Sequence, residues 1–267
     1  MSARVSSFGL RLVQRLVTTV ISDDYLNWKN RMIRKSTFYN HRSVVISFGT
    51  IHCYCPASTQ ELILICAQNL GTVAFRDDNL QTIFFPPKAV QNGSLRRKII
   101  LRIRRRLVET GTHCFVSESD ETDEFWSGKP ELLGYAFWVR VGKSEAAMKW
   151  QTDTLFSKLE RTLTGVEMWY SETFLDRDRP WDKIHHVRHL TINNFGSIPE
   201  YFELATLAVD PKFHRRGVGG MMLKYGIDLA QKEQIPVVLE ASPAGTQLYT
   251  KFGFQETEST EMFPEVW

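Results

Sequence analysis

Apolar and polar positions along the chain predict strands and helices that follow one another after residue 46. Residues 46–54 alternate loosely and predict a strand, and residues 113–118 and 132–141 predict two more. The polar, acidic stretch 119–130 between the last two is typical of a connecting loop. In 95–109 and 144–175 the apolar residues recur at intervals of three or four, which predicts helices. The pattern therefore indicates an α/β fold.

The predicted helix 95–109 is strongly basic. Its cationic residues are Arg96, Arg97, Lys98, Arg102, Arg104, Arg105 and Arg106. A nucleic-acid patch is one interpretation. No aromatic residues are interleaved to stack on bases, so we favour the solvated face of an amphipathic helix.

Composition fits an ordinary globular protein without a membrane or nucleic-acid partner. The 267 residues are 43% hydrophobic and 24% charged. No run of about 18 apolar residues is present, so no membrane-spanning helix is expected. The net charge of +3, from 33 basic and 30 acidic residues, does not by itself indicate nucleic acid.

Cysteine and histidine usage indicates neither a disulfide framework nor a metal site. The four cysteines are Cys53, Cys55, Cys66 and Cys114. Cys53 and Cys55 lack the usual zinc spacing, and we expect all four to be reduced thiols inside the cell. His185 and His189 would share one side of a helix, but no carboxylate completes a zinc motif, and no metal is predicted.

Residues 1–45 are interpreted as a basic extension that precedes a domain of residues 46–267. On a helix, Arg4, Arg11 and Arg15 would share one face, an arrangement that resembles a mitochondrial presequence. The alternative is a poorly ordered amphipathic tail. The expected location is the cytoplasm, with the mitochondrion as the alternative.

Residues 203–254 carry the pattern most specific for chemistry. A buried-type strand, 203–209, is followed by a basic turn and by Gly217, Gly219 and Gly220 at the start of a helix. A helix start offers unpaired N–H groups and a positive dipole end, and glycines let an anion approach the backbone. With Arg215 and Arg216, this turn is expected to hold a phosphate or pyrophosphate, unless its glycines are purely structural.

The two common nucleotide signatures do not fit this turn. A dinucleotide fingerprint needs a third glycine three residues after Gly219, where the sequence has Met222. A P-loop needs Lys and Ser or Thr after its last glycine, and Met221 follows Gly220 instead.

The run 207–220 resembles motif A of the GNAT superfamily of acyl-CoA-dependent N-acetyltransferases. That motif is a Gln/Arg-x-x-Gly-x-Gly/Ala turn, and Gly217 and Gly219 occupy its glycine positions while His214 departs from its first position. Residues 239–254 resemble motif B, with its Tyr-x-x-x-Gly-Phe core at Tyr249 to Phe254. The form of motif B is similar to a fungal subset of the family. The resemblance implies a mixed, mostly antiparallel sheet, splayed between two strands and flanked by helices.

The resemblance also implies roles for individual residues. The backbone of the turn would hold the CoA pyrophosphate, and the splayed strand would bind the pantetheine arm. The implied cofactor-binding residues are Leu207, Ala208, Val209, His214, Arg215, Arg216, Gly217, Val218, Gly219 and Gly220. Tyr249 would protonate the leaving thiolate, and Glu203 would act as the base.

The chemistry of amide formation fits these residue types. An amine is protonated near neutrality and cannot attack a thioester until a base removes a proton. Glu203 is the favoured base, with Glu240 on the next strand as a rival. A phenol such as Tyr249 can donate a proton to sulfur.

The expected function is transfer of an acetyl group from acetyl-CoA to an amine, preferably of a small molecule. Residues 119–130 and 176–199 are expected to shape the acceptor pocket. One alternative acceptor is a protein lysine or N-terminus. Another class of function is a non-catalytic CoA-binding module whose basic 95–106 face binds an acidic partner.

Overall fold

The computed structural model describes residues 13–19, 43–45, 50–54, 70–71, 73–75, 79–191 and 194–261. These residues form one eight-stranded sheet in the order β2-β3-β4-β5-β6-β7-β1-β8. The strands are β1 (Val13–Thr19), β2 (Ser43–Val45), β3 (Thr50–Tyr54), β4 (Thr112–Glu118), β5 (Leu132–Val141), β6 (Tyr201–Val209), β7 (Val237–Ala241) and β8 (Gln255–Glu261). Every neighbouring pair is antiparallel except β6 and β7, which are parallel. The mixed, mostly antiparallel sheet is thereby confirmed.

Helices cover both faces of this sheet. They are α1 (Asn79–Phe84), α2 (Pro87–Gln91), α3 (Ser94–Leu107), α4 (Glu145–Trp150), α5 (Leu155–Tyr170), α6 (Trp181–Thr191), α7 (Val218–Glu233) and α8 (Thr246–Lys251). A π-helical turn, Ser171–Leu175, continues α5. Within the described part of the chain, no helix combines the length and hydropathy that crossing a bilayer requires.

The single helix predicted over 144–175 is in fact two helices. Ser144 caps α4 by accepting a hydrogen bond from the Ala147 amide, and Thr154 caps α5 in the same way from Ser157. Two cap residues ten positions apart each satisfy the free N–H groups of a helix start. The chain therefore begins a new helix after residue 154.

Two apolar cores lie on opposite faces of the sheet. On one face α7 and α8 pack against the strands, with Trp138, Phe202 and Leu223 fully buried. On the other face α3 places Ile99 and Ile103 against β4, β5 and β6. The side chains of β6 point alternately to the two faces of the sheet, as expected for a central strand.

Helix α3 is largely covered by α5, so its basic residues are not a continuous solvated face. Arg104 donates to Glu160 at 3.0 Å and to Glu167 at 2.6 Å on α5. In the next turns Lys98 pairs with Glu172 and Arg97 with Asp176, each at 2.8 Å. The expectation of a solvated basic face is wrong here, because acidic side chains neutralise much of it.

The opposite side of α5 is apolar and exposed. Five residues at alternating intervals of three and four form this exposed stripe: Phe156, Leu159, Leu163, Val166 and Tyr170. The helix thus directs its polar side at α3 and its apolar side outward. This is the reverse of the arrangement that hydrophobic periodicity ordinarily indicates.

The segment Val13–Thr19 is a strand, so the helical interpretation of residues 1–22 is wrong there. It lies between β7 and β8 and pairs with both, for example Val17 with Leu239 and with Glu256. A helix could not complete both ladders. The division at residue 45 stays a prediction, but it would leave this strand outside the predicted domain.

The described cysteine side chain, Cys114, is buried on β4 and is not in a disulfide. Cys55 and Cys66 lie outside the described residues, as does the side chain of Cys53.

Candidate active site

Strands β6 and β7 separate part-way along their length. Their parallel ladder pairs Phe202 with Val237 and ends at Leu204 with Leu239, whereas β6 continues to Val209. The register between β5 and β6 also shifts at this point, which marks a bulge around Ala205. A bulge bends a strand and increases its twist. It therefore contributes to the opening along Leu207, Ala208 and Val209, where the resemblance predicts the pantetheine arm.

A strained turn follows the open part of β6. Asp210 accepts a hydrogen bond from the Lys212 amide at 2.9 Å and so begins a short 3₁₀ turn, Pro211–Phe213. Arg215 then has φ of 62° and Gly217 has φ of 87°. Left-handed residues beside right-handed ones orient successive N–H groups into an anion-binding concavity. A non-glycine residue in this region is costly and concentrates at functional sites.

The three glycines of the turn have different roles. A Cβ on Gly217 would meet nothing within 4 Å, so this position needs glycine for its φ and not for space. A Cβ on Gly220 would lie 3.2 Å from the Phe252 ring, and one on Gly219 would lie 3.4 Å from Leu248. These two glycines bring α7 close to the α8 region. The positive dipole end of α7 consequently lies at the turn.

The side chains of the turn are not equivalent either. The His214 ring Nε2 lies 3.1 Å from the carbonyl oxygen of Val209, so this side chain contacts the backbone at the C-terminal end of β6. Val218 is buried in the core and can offer only its backbone to a ligand. Arg215 and Arg216 remain as the charged side chains of the turn.

Phe125 in the 119–130 loop is a residue that the sequence analysis missed. The Arg216 guanidinium lies 4.9 Å from the centre of the Phe125 ring, and this ring packs on Phe213 at 5.2 Å. The cation is thereby oriented against an aromatic face. The loop contacts the basic turn, and the sequence contains no spacing that links the two segments.

Tyr249 on α8 is buried beside the turn. Its ring packs on Phe254 at 5.9 Å between centroids, and a Cβ on Gly245 would lie 2.8 Å from the ring. Leu248, which precedes it, lies against Gly219. Burial raises the pKa of the Tyr249 hydroxyl to about 12. The phenol is therefore protonated at neutral pH and can donate a proton.

Glu203 and Glu240 lie on the face of the sheet that α3 covers. Burial raises the pKa of Glu203, and the negative charges of Glu240 and Glu109 raise it further, whereas Arg106 opposes them. Glu240 accepts a hydrogen bond from the Asn194 amide at 2.8 Å. The Glu203 carboxylate is thus more basic than an ordinary one, which suits proton removal, while Glu240 is hydrogen-bonded to Asn194.

The predicted binding residues lie along the open part of β6 and the basic turn, but the side chains of Ala208 and Val218 are buried, each in one of the two cores. Leu248 of α8, next to Tyr249, lies against Gly219. Glu203 lies on the opposite face of β6 from the buried neighbours Phe202 and Leu204. The three histidines of α6 are exposed, and the described residues contain no cluster of metal-binding side chains.

Comparisons with known proteins find similarity over the part of the chain that contains the basic turn. Residues 184–256 match the family model described as an acetyltransferase (GNAT) domain. "Probable acyltransferase SID5" of Ajellomyces capsulatus is 43% identical over 42 residues, or 16% of this chain and 31% of the relative. The chain therefore matches less than a third of the length of this relative.

Two solved structures also resemble this chain. One is the histone acetyltransferase HPA2 and related acetyltransferase from Corynebacterium glutamicum, with 18% identity, a TM-score of 0.44, and coverage of 78% of this chain and 85% of that one. The other is the polyamine N-acetyltransferase of Drosophila melanogaster, with 15% identity, a TM-score of 0.37, and coverage of 77% and 83%. The family match spans the open strand, the basic turn and Tyr249, so this part of the chain is similar to a GNAT acetyltransferase domain.

Proposed function

We propose that the protein transfers an acetyl group from acetyl-CoA to an amine. The observation that carries this proposal is the open edge of β6 after Leu204, continuous with the left-handed turn at Arg215 and Gly217. An open strand edge can hydrogen-bond the amide groups of a pantetheine arm, and the turn can hold a pyrophosphate.

Two side chains would handle the protons of this reaction. Glu203 accepts a proton from the acceptor ammonium, directly or through water, which frees the nitrogen lone pair. The amine then attacks the thioester carbonyl carbon, and a backbone N–H of β6 stabilises the oxyanion. As the carbon–sulfur bond breaks, Tyr249 donates its proton to the thiolate of CoA, and the nitrogen of the new amide gives up its extra proton through water, which restores the Tyr249 phenol.

The acceptor is proposed to be a small molecule. A narrow pocket beside Thr206 of β6, with a cavity volume of about 30 Å³, lies between α3 and the sheet. A recess of this size would admit at most the end of a slender molecule and not a folded protein surface.

Calorimetric titration of CoA and measurement of thiol release from acetyl-CoA across a panel of amines test the proposal. We expect CoA binding, and turnover with at least one amine. Tyr249→Phe is expected to bind CoA as the wild type does and to lower kcat by roughly 100-fold, the lower range for a lost general acid.

The matched control is Tyr170→Phe, because Tyr170 is an exposed tyrosine on α5. This variant is expected to keep full activity. Binding of CoA without turnover of any amine would favour the non-catalytic module, and absence of CoA binding would overturn the proposal entirely.

A further inference from the structure

The Arg216 side chain of the basic turn contacts aromatic rings and not a counter-charge. Its guanidinium lies 4.9 Å from the centre of the Phe125 ring and 6.0 Å from that of Phe213, and the two rings pack on each other at 5.2 Å. Among the described residues, no carboxylate pairs with Arg216, whereas Arg104 of α3 pairs with two glutamates. A ring face attracts the cation without occupying its N–H groups, so the charge and the donors of Arg216 stay available to a ligand.

The loop that carries Phe125 is fixed by its own hydrogen bonds. At its base the Ser119 amide donates to the Glu131 carbonyl oxygen, and the Glu131 amide donates to the Ser119 hydroxyl oxygen, each at 2.9 Å. Nearer its tip the Asp123 side chain accepts from the Asp120 amide at 2.8 Å, and the Asp123 amide donates to the Asp120 carbonyl oxygen at 3.1 Å. Phe125 itself packs against the core on the α7 side of the sheet. These bonds lie within the loop, so the position of the ring does not depend on a ligand.

Arg216 stands at the position of the turn where a phosphate is expected. It lies between Arg215, with φ of 62°, and Gly217, the N-cap of α7, with φ of 87°. Backbone N–H groups in such a turn converge on an anion, and the positive end of the α7 dipole adds to their field. Arg216 is exposed, so without a contact its long side chain would exchange among many rotamers. The Phe125 ring restricts these rotamers and keeps the guanidinium beside the turn.

We propose that Phe125 is a positioning residue of the donor site, which holds the Arg216 guanidinium ready to bind a phosphate group of acetyl-CoA. This inference rests on the proposed function. Loop 119–130 then belongs to the donor site, whereas the sequence analysis expected it to shape the acceptor pocket. A guanidinium that is ordered beforehand loses less rotamer entropy on binding, so the ring strengthens phosphate binding through Arg216.

Calorimetric titration of CoA and of 3′-phospho-ADP tests the proposal, because 3′-phospho-ADP contains all the phosphates of CoA and lacks its pantetheine arm. Phe125→Leu removes the ring face and keeps most of the apolar volume. It is expected to raise the Kd of both ligands by the same factor, roughly three- to tenfold. Phe125→Tyr keeps the ring face and is expected to restore wild-type Kd values. At saturating acetyl-CoA, kcat should be the same in both variants, because the phosphates are remote from the reacting carbon.

A double-mutant cycle tests whether Phe125 acts through Arg216. Arg216→Gln is expected to raise the Kd of CoA by roughly tenfold or more, as expected for a lost hydrogen bond to a charged group. In the Arg216→Gln background, Phe125→Leu should cause no further loss, since the ring then has no cation to position. A ring that only supported the fold would weaken CoA binding equally in both backgrounds. The matched control is Phe156→Leu, at an exposed phenylalanine of α5, which should bind CoA as the wild type does.

The outcomes separate the two proposals. Melting temperatures verify that each variant folds, and Phe125→Met replaces Phe125→Leu if the leucine variant does not. An unchanged Kd without the ring, a loss confined to CoA with 3′-phospho-ADP bound as before, or an equal loss in both backgrounds would overturn the inference and leave the acetyltransferase function standing. Absence of CoA binding to the wild type, or CoA binding without turnover of any amine, would overturn the proposed function instead.

Discussion

Gly217 of the basic turn needs a backbone conformation that other residues rarely adopt. Gly217 has open space around its Cβ position but a φ of 87°, whereas Gly165, in the middle of α5, has an ordinary helical backbone. The cost of adding a methyl group at Gly217 is therefore conformational, because the left-handed backbone costs an L-residue roughly 1–2 kcal/mol of conformational free energy.

Gly217→Ala is accordingly expected to lower the free energy of unfolding by about 1–2 kcal/mol and to weaken CoA binding. Gly217→Asn should have a smaller effect, since asparagine tolerates positive φ. Gly165→Ala is the control with the opposite sign. It is expected to raise the free energy of unfolding by up to about 1 kcal/mol, because alanine favours a helix interior. Thermal melts and CoA titration would measure all three, and wild-type stability of Gly217→Ala would contradict the account.

Glu203 combines a proposed role in proton transfer with an electrostatic cost to the fold. Its pKa in the folded protein is raised, so the folded state holds this proton more tightly than the unfolded state does. The stability of the wild type should therefore fall as pH rises from about 4.5, the ordinary value, through the raised pKa. Activity should rise over the same interval as the base ionises.

Glu203→Gln is expected to reduce kcat by roughly 100-fold or more and to leave the melting temperature at pH 8 equal to or above that of the wild type. Profiles of kcat/KM and melting temperature from pH 4 to 8 measure both effects. Glu240→Gln is the comparison, because it weakens a hydrogen bond to Asn194 instead. A larger loss of kcat in Glu240→Gln would assign the base to Glu240.

Sequence reasoning proposes residues for the site more readily than it predicts their surroundings. Gly217, Gly219 and Tyr249 lie in short motifs whose chemistry is local, so they could be found from the chain alone. Phe125 could not, because its contact with Arg216 joins segments about 90 positions apart. In the sequence, Arg102 and Arg106 are only two cations of a basic run. They line the pocket beside Thr206 only when α3 packs on the sheet, so their position could not be predicted.

At the scale of elements, α5 shows why an apolar period does not by itself identify a buried face. Arg104 and other cations of α3 face this helix, so its polar side, including the fully buried Thr164, becomes the packed side. Ion pairs and hydrogen bonds thereby hold α3 and α5 together, and the apolar stripe of α5 stays exposed to solvent. Strand β5 illustrates the predictable case, because both of its faces are covered and it has no charged residue from Leu132 to Val139.

Matched leucine substitutions distinguish these two kinds of helix face. Leu163 on the exposed stripe of α5 is 51% exposed, and Leu223 of α7 is 0% exposed. Leu163→Ala is expected to change the free energy of unfolding by no more than about 0.5 kcal/mol, whereas Leu223→Ala should cost about 2–5 kcal/mol through the cavity it leaves. Denaturant unfolding would measure both, and a comparable loss in the two variants would mean that the stripe is packed in solution.

At the scale of the whole molecule, a buried cation joins parts of the chain that are distant in sequence. Arg140 at the end of β5 is 2% exposed and bonds to Glu200, just before β6, at 2.8 Å and to Glu233, the last residue of α7, at 2.9 Å. Glu200 also accepts from the Ser144 amide at 2.8 Å at the start of α4. These bonds fix the end of the sheet opposite the opening between β6 and β7.

This network gives the fold a defined dependence on pH. The bonds from Arg140 and Ser144 lower the pKa of Glu200 to about 2, below its ordinary 4.5. A carboxyl group with a depressed pKa contributes stability above its unfolded value, and that stability is lost as pH falls through the folded value. The contribution of the ionised Glu200 to the stability of the fold should be complete above about pH 4.5 and should disappear toward about pH 2.

Glu200→Gln is therefore expected to lower the melting temperature at pH 7, where it removes one charged partner of a buried arginine. The difference from the wild type should shrink as pH falls from 4.5 toward 2, because Glu200 takes up a proton in the unfolded wild type before it does so in the folded protein. Glu145→Gln is the control, since its ion pair with Lys149 is exposed and should contribute little at any pH. Melts between pH 3 and 7 would measure the trend, and a difference that stays constant over this range would show that Glu200 stabilises the fold through its shape and not through its charge.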